Sequence, residues 1–263
     1  MICTRFGAVC SNIRRLLTIA GFTLIVLLSA CAGHNKGVPL ESGPAPILLF
    51  NGAGTSPNDV TAVETILDSL RLSYSTINSS ELNRMGRARM MKYRLLIMPG
   101  GDFIDIGKSL DTVTATNVRY AVQHGLNYLG ICAGAFLAGH LARYNCFNLT
   151  SGVTFGFYSA ESKGIRKAAL AITSLGAPTL DQYWEDGPQL SGWGAVVAKY
   201  PDGTPAVAEG KCGSGFVLLT GFHAEAPEGW RGGMVFKTPA DVDHAYTAML
   251  IQATLQGVSL SHY

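Results

Sequence analysis

The sequence predicts an α/β fold in which a mostly parallel central sheet is covered by helices on both faces. Three observations carry that prediction. Short, uninterrupted apolar runs recur at 47–50, 94–98 and 126–131, as strands buried on both faces require. Segments with apolar residues at helical spacing lie between them. Glycine or proline follows the first two runs, in Asn51-Gly52 and Pro99-Gly100-Gly101. Strand and helix therefore alternate, and that order favours parallel pairing.

The elements follow in turn. Ile47 to Phe50 forms the first strand. Ser56-Pro57 opens a helix, with Ser56 as its cap, Pro57 in its first turn, and Val60, Val63, Ile66, Leu67 and Leu70 on one face. Tyr74 to Ile77 and 94–98 are the next strands, 112–124 a helix, and 126–131 the following strand. Further strands are expected at 205–209 and 215–220, and a helix at 239–255 closes the chain. Residues 140–204 are rich in glycine and aromatics, including Trp184 and Trp193. They are read as loops and short strands over one sheet edge, with the aromatics either lining a pocket or packing at the surface. No repeat or second linker breaks residues 46–257, which are expected to form one domain.

Composition allows a large core: of 263 residues, 48% are hydrophobic and 14% charged. The formal charge of +2 owes three units to Arg5, Arg14 and Arg15. Without them 17 basic residues face 18 acidic ones, which gives no electrostatic case for a nucleic-acid partner. Those arginines precede 13 uncharged residues, Leu16 to Leu28, too few to span a bilayer and suited to a signal-peptide core. Leu28-Ser29-Ala30-Cys31 then resembles a bacterial lipoprotein signal. The expectation is a signal peptide at 1–30, a lipid on Cys31, and a Pro/Gly-rich tether at 31–45. The protein would face the periplasm from a bacterial membrane, the outer one given Ala32 rather than Asp after the cysteine. Cys3 and Cys10 would leave with the signal. Cys146 and Cys212 could form a disulfide or remain as two buried thiols, and Cys132 is left over.

Cys132 stands in Gly130-Ile131-Cys132-Ala133-Gly134 at the end of an expected strand. A strand that turns sharply into a helix can hold its apex residue strained, side chain outward, with glycine two residues to each side. The helix amino terminus favours a thiolate there. A thiol nucleophile needs a base, and the base needs an orienting partner. Of six histidines, His223 alone follows a long apolar strand, and Glu225 sits two residues on, where it points the same way. The backbone N–H of Ala133 and that of Gly100 or Gly101 are candidate oxyanion donors. No metal site is expected, because no histidine or cysteine set has a recognised ligand spacing.

Pro99-Gly100-Gly101-Asp102, then GICAGA, then Gly221-Phe222-His223-Ala224-Glu225, in this order, resemble the class I glutamine amidotransferase-like superfamily. The nearest likeness is to the amidotransferase-like domain at the amino terminus of some biotin–protein ligases. The segments FNGAGTS, LNRM, YSAESKGIR and YPDGTPAVAEGKCGSGFVLLTGFHAE share it. The resemblance implies a flavodoxin-like sheet order and a Cys132–His223–Glu225 triad without a cofactor. It departs from glutamine-using members at Phe136, where they commonly have Gln, and from PfpI-type relatives at Ala133, where those usually have His. The expected activity is thiol-dependent hydrolysis of an amide C–N bond in a small-molecule or envelope-derived substrate. The alternative is a non-catalytic, ligand-binding envelope lipoprotein with the same fold.

Overall fold

The structure, a computed structural model, describes residues 45–159 and 161–263. The signal segment, Cys31 and tether residues 31–44 lie outside the described residues. In chain order the elements are β1 (Ile47–Phe50), α1 (Pro57–Ser69), β2 (Tyr74–Ile77), α2 (Ser79–Asn83), α3 (Arg87–Met90), β3 (Leu95–Met98), α4 (Phe103–Ser109), α5 (Thr112–Gln123), β4 (Asn127–Ile131) and α6 (Ala133–Ala138). There follow β5 (Gly156–Phe157), β6 (Lys167–Ser174), β7 (Leu180–Glu185), β8 (Pro188–Gln189), β9 (Ala195–Lys199), β10 (Pro205–Cys212), β11 (Gly215–Thr220) and α7 (Ala240–Gln256).

Nine strands form one sheet in the order β2-β1-β3-β4-β11-β10-β9-β6-β7. The first five are parallel, in the 2-1-3-4-5 succession of flavodoxin-like folds. Alternate residues of β1 serve opposite faces. Ile47 and Leu49 pack with Val63 and Leu67 of α1 and Leu250 and Ile251 of α7. Leu48 and Phe50 pack with Val118 and Ala121 of α5 and Leu137 of α6. Both faces are dry, so each strand is a continuous apolar run rather than an alternating one. At the head of α1, the Ser56 hydroxyl accepts the Asp59 N–H (3.4 Å) and Pro57 takes the first turn.

The stretch 140–204 differs from its sequence reading. β9, β6 and β7 are full members of the sheet, extending it antiparallel beyond β10. Only β5 and β8 stand apart, as a two-residue ribbon. β6, KAALAITS, is half-exposed along most of its length, so it lacks the apolar run that marks the inner strands. Its alanines, lysine and leucine give no strand signal either. Trp184 is fully buried edge-on to Tyr158 (ring centroids 5.6 Å), and Trp193 packs against the core; neither lines the main cleft.

The disulfide alternative is corrected: Cys146 and Cys212 are separate free thiols. Cys146 lies in the loop after α6 beside Tyr128, whereas Cys212 ends β10 beside Arg119 of α5. Burial pushes the Cys146 thiol up to about 11 and raises that of Cys212. The chain stays on the domain beyond Gly257. Leu260 N–H reaches the buried Glu209 carboxylate (3.1 Å), and Tyr263 N–H donates to the Val196 carbonyl (2.9 Å). Among the described residues no helix is long and apolar enough to cross a membrane.

Candidate active site

The parallel strands β3, β4 and β11 end side by side, and the three sequence-predicted motifs follow those ends. Cys132 is the single residue between β4 and α6, held at φ 48° and ψ −100°. A non-glycine residue there is strained, and such strain persists only where its surroundings over-determine it. They do so here. Cys132 N–H donates to the Thr220 carbonyl (2.8 Å), continuing the β4–β11 pairing through the apex. Tyr128 Oη donates to the Gly134 carbonyl (2.7 Å). A Cβ on Gly130 would stand 2.7 Å from the Gly134 carbonyl, and one on Gly134 would stand 2.0 Å from the Met98 carbonyl of β3. The two glycines thus serve different contacts: one clears α6, the other lets α6 press on the neighbouring strand.

Cys132 is 5% exposed, and its thiol donates weakly to the Glu185 carbonyl (3.7 Å). His223 follows β11, and its N–H donates to the Tyr183 carbonyl (2.8 Å), tying the loop to β7. Imidazole Nδ1 and Glu225 Oε1 are hydrogen-bonded at 2.7 Å. With Nδ1 as the donor, Nε2 is the nitrogen available to a thiol. Burial opposes charge on the ring, but Cys132, Glu225 and Asp59 outweigh it and hold the imidazole well above its ordinary value. Burial, then the charge of Asp59, push Glu225 up to about 7, against the opposing pull of His223.

Asp59 is the residue that sequence reasoning missed. It lies in the first turn of α1, fully buried, with Oδ2 3.3 Å from His223 Nδ1. An Asp just after Ser-Pro reads as a first-turn acid suited to a helix dipole, so its position alone gave no reason to single it out.

Pro99-Gly100-Gly101-Asp102 divides into separate tasks. A Cβ on Gly100 would stand 2.1 Å from Asp59 Oδ2 and 2.4 Å from His223 Cε1. Gly100 therefore makes room for the histidine and its carboxylate. Gly101, at φ 140°, lines the cleft with Cys132 and lies too close to the Gly54 carbonyl for any side chain. Asp102 caps α4, its Oδ1 accepting the N–H groups of Ile104 (2.8 Å) and Asp105 (3.2 Å). Of the predicted oxyanion donors, Gly101 borders the cleft and Gly100 packs against Asp59 and His223. Ala133 is the first residue of α6, so its N–H has no intrahelical acceptor.

The cleft above these groups has a volume of about 780 Å³. One wall is aromatic: Phe103 stacks on Phe136 (centroids 4.5 Å), and Phe157 meets Phe136 at 5.1 Å. The opposite side carries Lys167, the Arg166–Asp186 ion pair (2.7 Å) and Tyr183, whose hydroxyl donates to Glu185 Oε2 (2.5 Å). Trp230 meets the His223 ring at 5.7 Å. Ligand atoms of Asp59, His223 and Glu225 lie within 4.8 Å of one another, the right residue types for a cation. The 2.7 Å contact is nevertheless a hydrogen bond between two of the three, and the trio is treated below as a proton-sharing cluster.

Residues 45–170 match the family model described as "Biotin-protein ligase, N terminal". A comparison with curated protein sequences gives no match. Among solved structures, PurLQS from Thermotoga maritima is similar, with TM-score 0.53 and 15% identity over 79% of this chain and 99% of that one. A putative GMP synthase component from Thermoplasma acidophilum matches with TM-score 0.49 and 11% identity over 81% of this chain and 98% of that one. The exo-β-1,4-mannosidase Op5Man5 from Opitutaceae bacterium strain TAV5 matches with TM-score 0.51 and 11% identity over 80% of this chain and 36% of that one. This chain spans about a third of the length of the glycoside hydrolases it matches. By fold the chain is class I glutamine amidotransferase-like, and over residues 45–170 it resembles the amino-terminal domain of biotin–protein ligases.

Proposed function

We propose that the protein is a thiol hydrolase of amide C–N bonds, using Cys132, His223 and Glu225. The observation that carries this reading is the strained Cys132 sharing one cleft with a His223 whose far nitrogen is fixed by Glu225. His223 Nε2 takes the thiol proton as Cys132 Sγ adds to the substrate carbonyl carbon. The N–H groups of Ala133 and Gly101 face the oxygen that gains charge. The tetrahedral adduct collapses to a thioester, the C–N bond breaks, and His223 returns the proton to the leaving nitrogen. Water, deprotonated by the same imidazole, then releases the acid and restores the thiol. Glu225 orients the ring throughout.

The wall of Phe103, Phe136 and Phe157 favours an amide bearing an apolar group over free glutamine, whose side-chain amide needs polar partners. Ammonia release from glutamine is therefore expected to match that of the Cys132→Ser variant. Incubating the full chain and that variant with a library of N-substituted amides and peptidoglycan fragments, followed by mass spectrometry, tests the reading. Cys132-dependent cleavage of an apolar amide supports it. Efficient Cys132-dependent turnover of free glutamine would contradict the substrate preference, and no cleavage of any amide would count against hydrolysis.

The proposed location is the periplasmic side of a bacterial membrane, through a lipid on Cys31, supported by the sequence Leu28-Ser29-Ala30-Cys31 after an apolar core. The wild-type chain should be processed before Cys31 and fractionate with membranes. Cys31→Ala should yield a soluble or unprocessed chain. A wild-type chain that is processed yet freely soluble would refute the anchor.

A further inference from the structure

We propose that Asp59 is a second carboxylate partner of His223, a positioning residue that keeps an anion beside the imidazole when Glu225 becomes protonated. The inference rests on His223 being the base of the proposed reaction. Asp59 is fully buried, and among the described residues neither of its oxygens has a hydrogen-bond partner. An isolated carboxylate in such a place is costly unless an opposite charge faces it. The group it faces is Nδ1 of His223, at 3.3 Å.

The backbone is built around this contact. Asp59 sits on α1, whose first turn is fixed by Ser56, while Glu225 comes from the loop after β11. The two carboxylates thus reach the ring from independent elements. Gly100 leaves open the space they need, since any Cβ there would strike both Asp59 Oδ2 and His223 Cε1. The start of α1 adds a favourable dipole for a carboxylate.

The chemistry follows from proton counting. Glu225 takes a proton near pH 7. Its carbonyl oxygen can still accept from Nδ1–H, but its charge is gone. Asp59 then supplies the negative charge that an imidazolium needs. The other titratable groups around the ring are Cys132 at the elbow, Tyr183 with Glu185 on β7, and His244 on α7, which bonds the Ala226 carbonyl (3.1 Å). None of these contributes an anion to Nδ1.

The test is the nuclear magnetic resonance titration of His223 in the full chain, with ¹⁵N-labelled histidine. A Cys132→Ser background removes the sulfur's charge, so the titration reports the carboxylates alone. Asp59→Asn and Glu225→Gln should each leave His223 titrating above the ordinary 6.5 or so, and the double variant should fall below it, because only burial remains. In the chain with Cys132 intact, iodoacetamide labelling should slow about 5-fold in either single variant and about 100-fold in the double. If Glu225→Gln alone drops His223 as far as the double variant does, Asp59 is not a partner. That outcome is decisive even if Asp59→Asn fails to fold. The two failures are separable: an unaltered labelling rate in His223→Ala refutes the base, whereas the titration judges Asp59 without reference to reactivity.

Discussion

Low-dose iodoacetamide should label Cys132 of the folded chain ahead of Cys146 and Cys212, and at least about 10-fold faster than Cys132 in the unfolded chain. The expectation runs against simple accessibility. Cys132 is 5% exposed and the other two are more open. Burial, however, pushes Cys146 up to about 11 and raises Cys212, so both remain protonated and poorly nucleophilic near neutral pH. Cys132 faces a cleft of about 780 Å³ and has His223 beside it to accept its proton. His223→Ala should slow the labelling about 100-fold, the range in which a positioned base acts. Glu225→Gln should slow it less, because Asp59 remains near Nδ1. Labelling followed by peptide mass spectrometry, from mildly acidic to mildly alkaline pH, gives all three rates in one experiment. Should Cys132 react no faster folded than unfolded, and be indifferent to His223, the catalytic reading fails and a ligand-binding role takes its place.

What the sequence made legible, and what it hid, divides along physical lines. The parallel half of the sheet was readable because its strands are buried on both faces, and such burial forces uninterrupted runs like Leu95-Leu96-Ile97-Met98. The elbow was readable because its geometry tolerates so few residue types two places either side of Cys132. His223 and Glu225 were readable because they lie two residues apart, so their encounter is local. Asp59 is 164 residues from His223, and its sequence surroundings are those of any helix start. Only the fold brings the two together. The antiparallel extension was hidden for a different reason: β6 is half-exposed, so burial imposes no strong pattern on it. Gly100 shows the same limit within a motif that was found. Its neighbour Gly101 borders the cleft as expected, but the space Gly100 leaves is filled by Asp59 and the His223 ring rather than by a substrate.

Gly134→Val is expected to destabilise the domain by at least about 3 kcal/mol, and Gly134→Ala to cost nearly as much. The reason lies in what the new atoms would meet. A Cβ on Gly134 stands 2.0 Å from the Met98 carbonyl oxygen and 2.9 Å from the Met98 Cβ. Met98 ends β3, which pairs with β1 on one side and β4 on the other, so that carbonyl has no room to retreat. Relief can come only by lifting α6 off the sheet. That would also move Cys132, whose positive φ depends on α6 starting directly after it. For a domain of this size such a loss lowers the melting temperature by roughly 6 to 12 °C. Gly156→Ala is the matched control: it adds the same atom where nothing lies within 4 Å, and should change stability by no more than about 0.5 kcal/mol. Gly130→Ala falls with Gly134, since its Cβ would stand 2.7 Å from the Gly134 carbonyl. Thermal melts of the four variants, paired with Cys132 labelling rates, separate the two consequences of the elbow. Loss of stability with labelling falling to the unfolded rate is the expected result. If Gly134→Ala melts like Gly156→Ala, the turn is not held by contact with β3, and the strain at Cys132 needs another source.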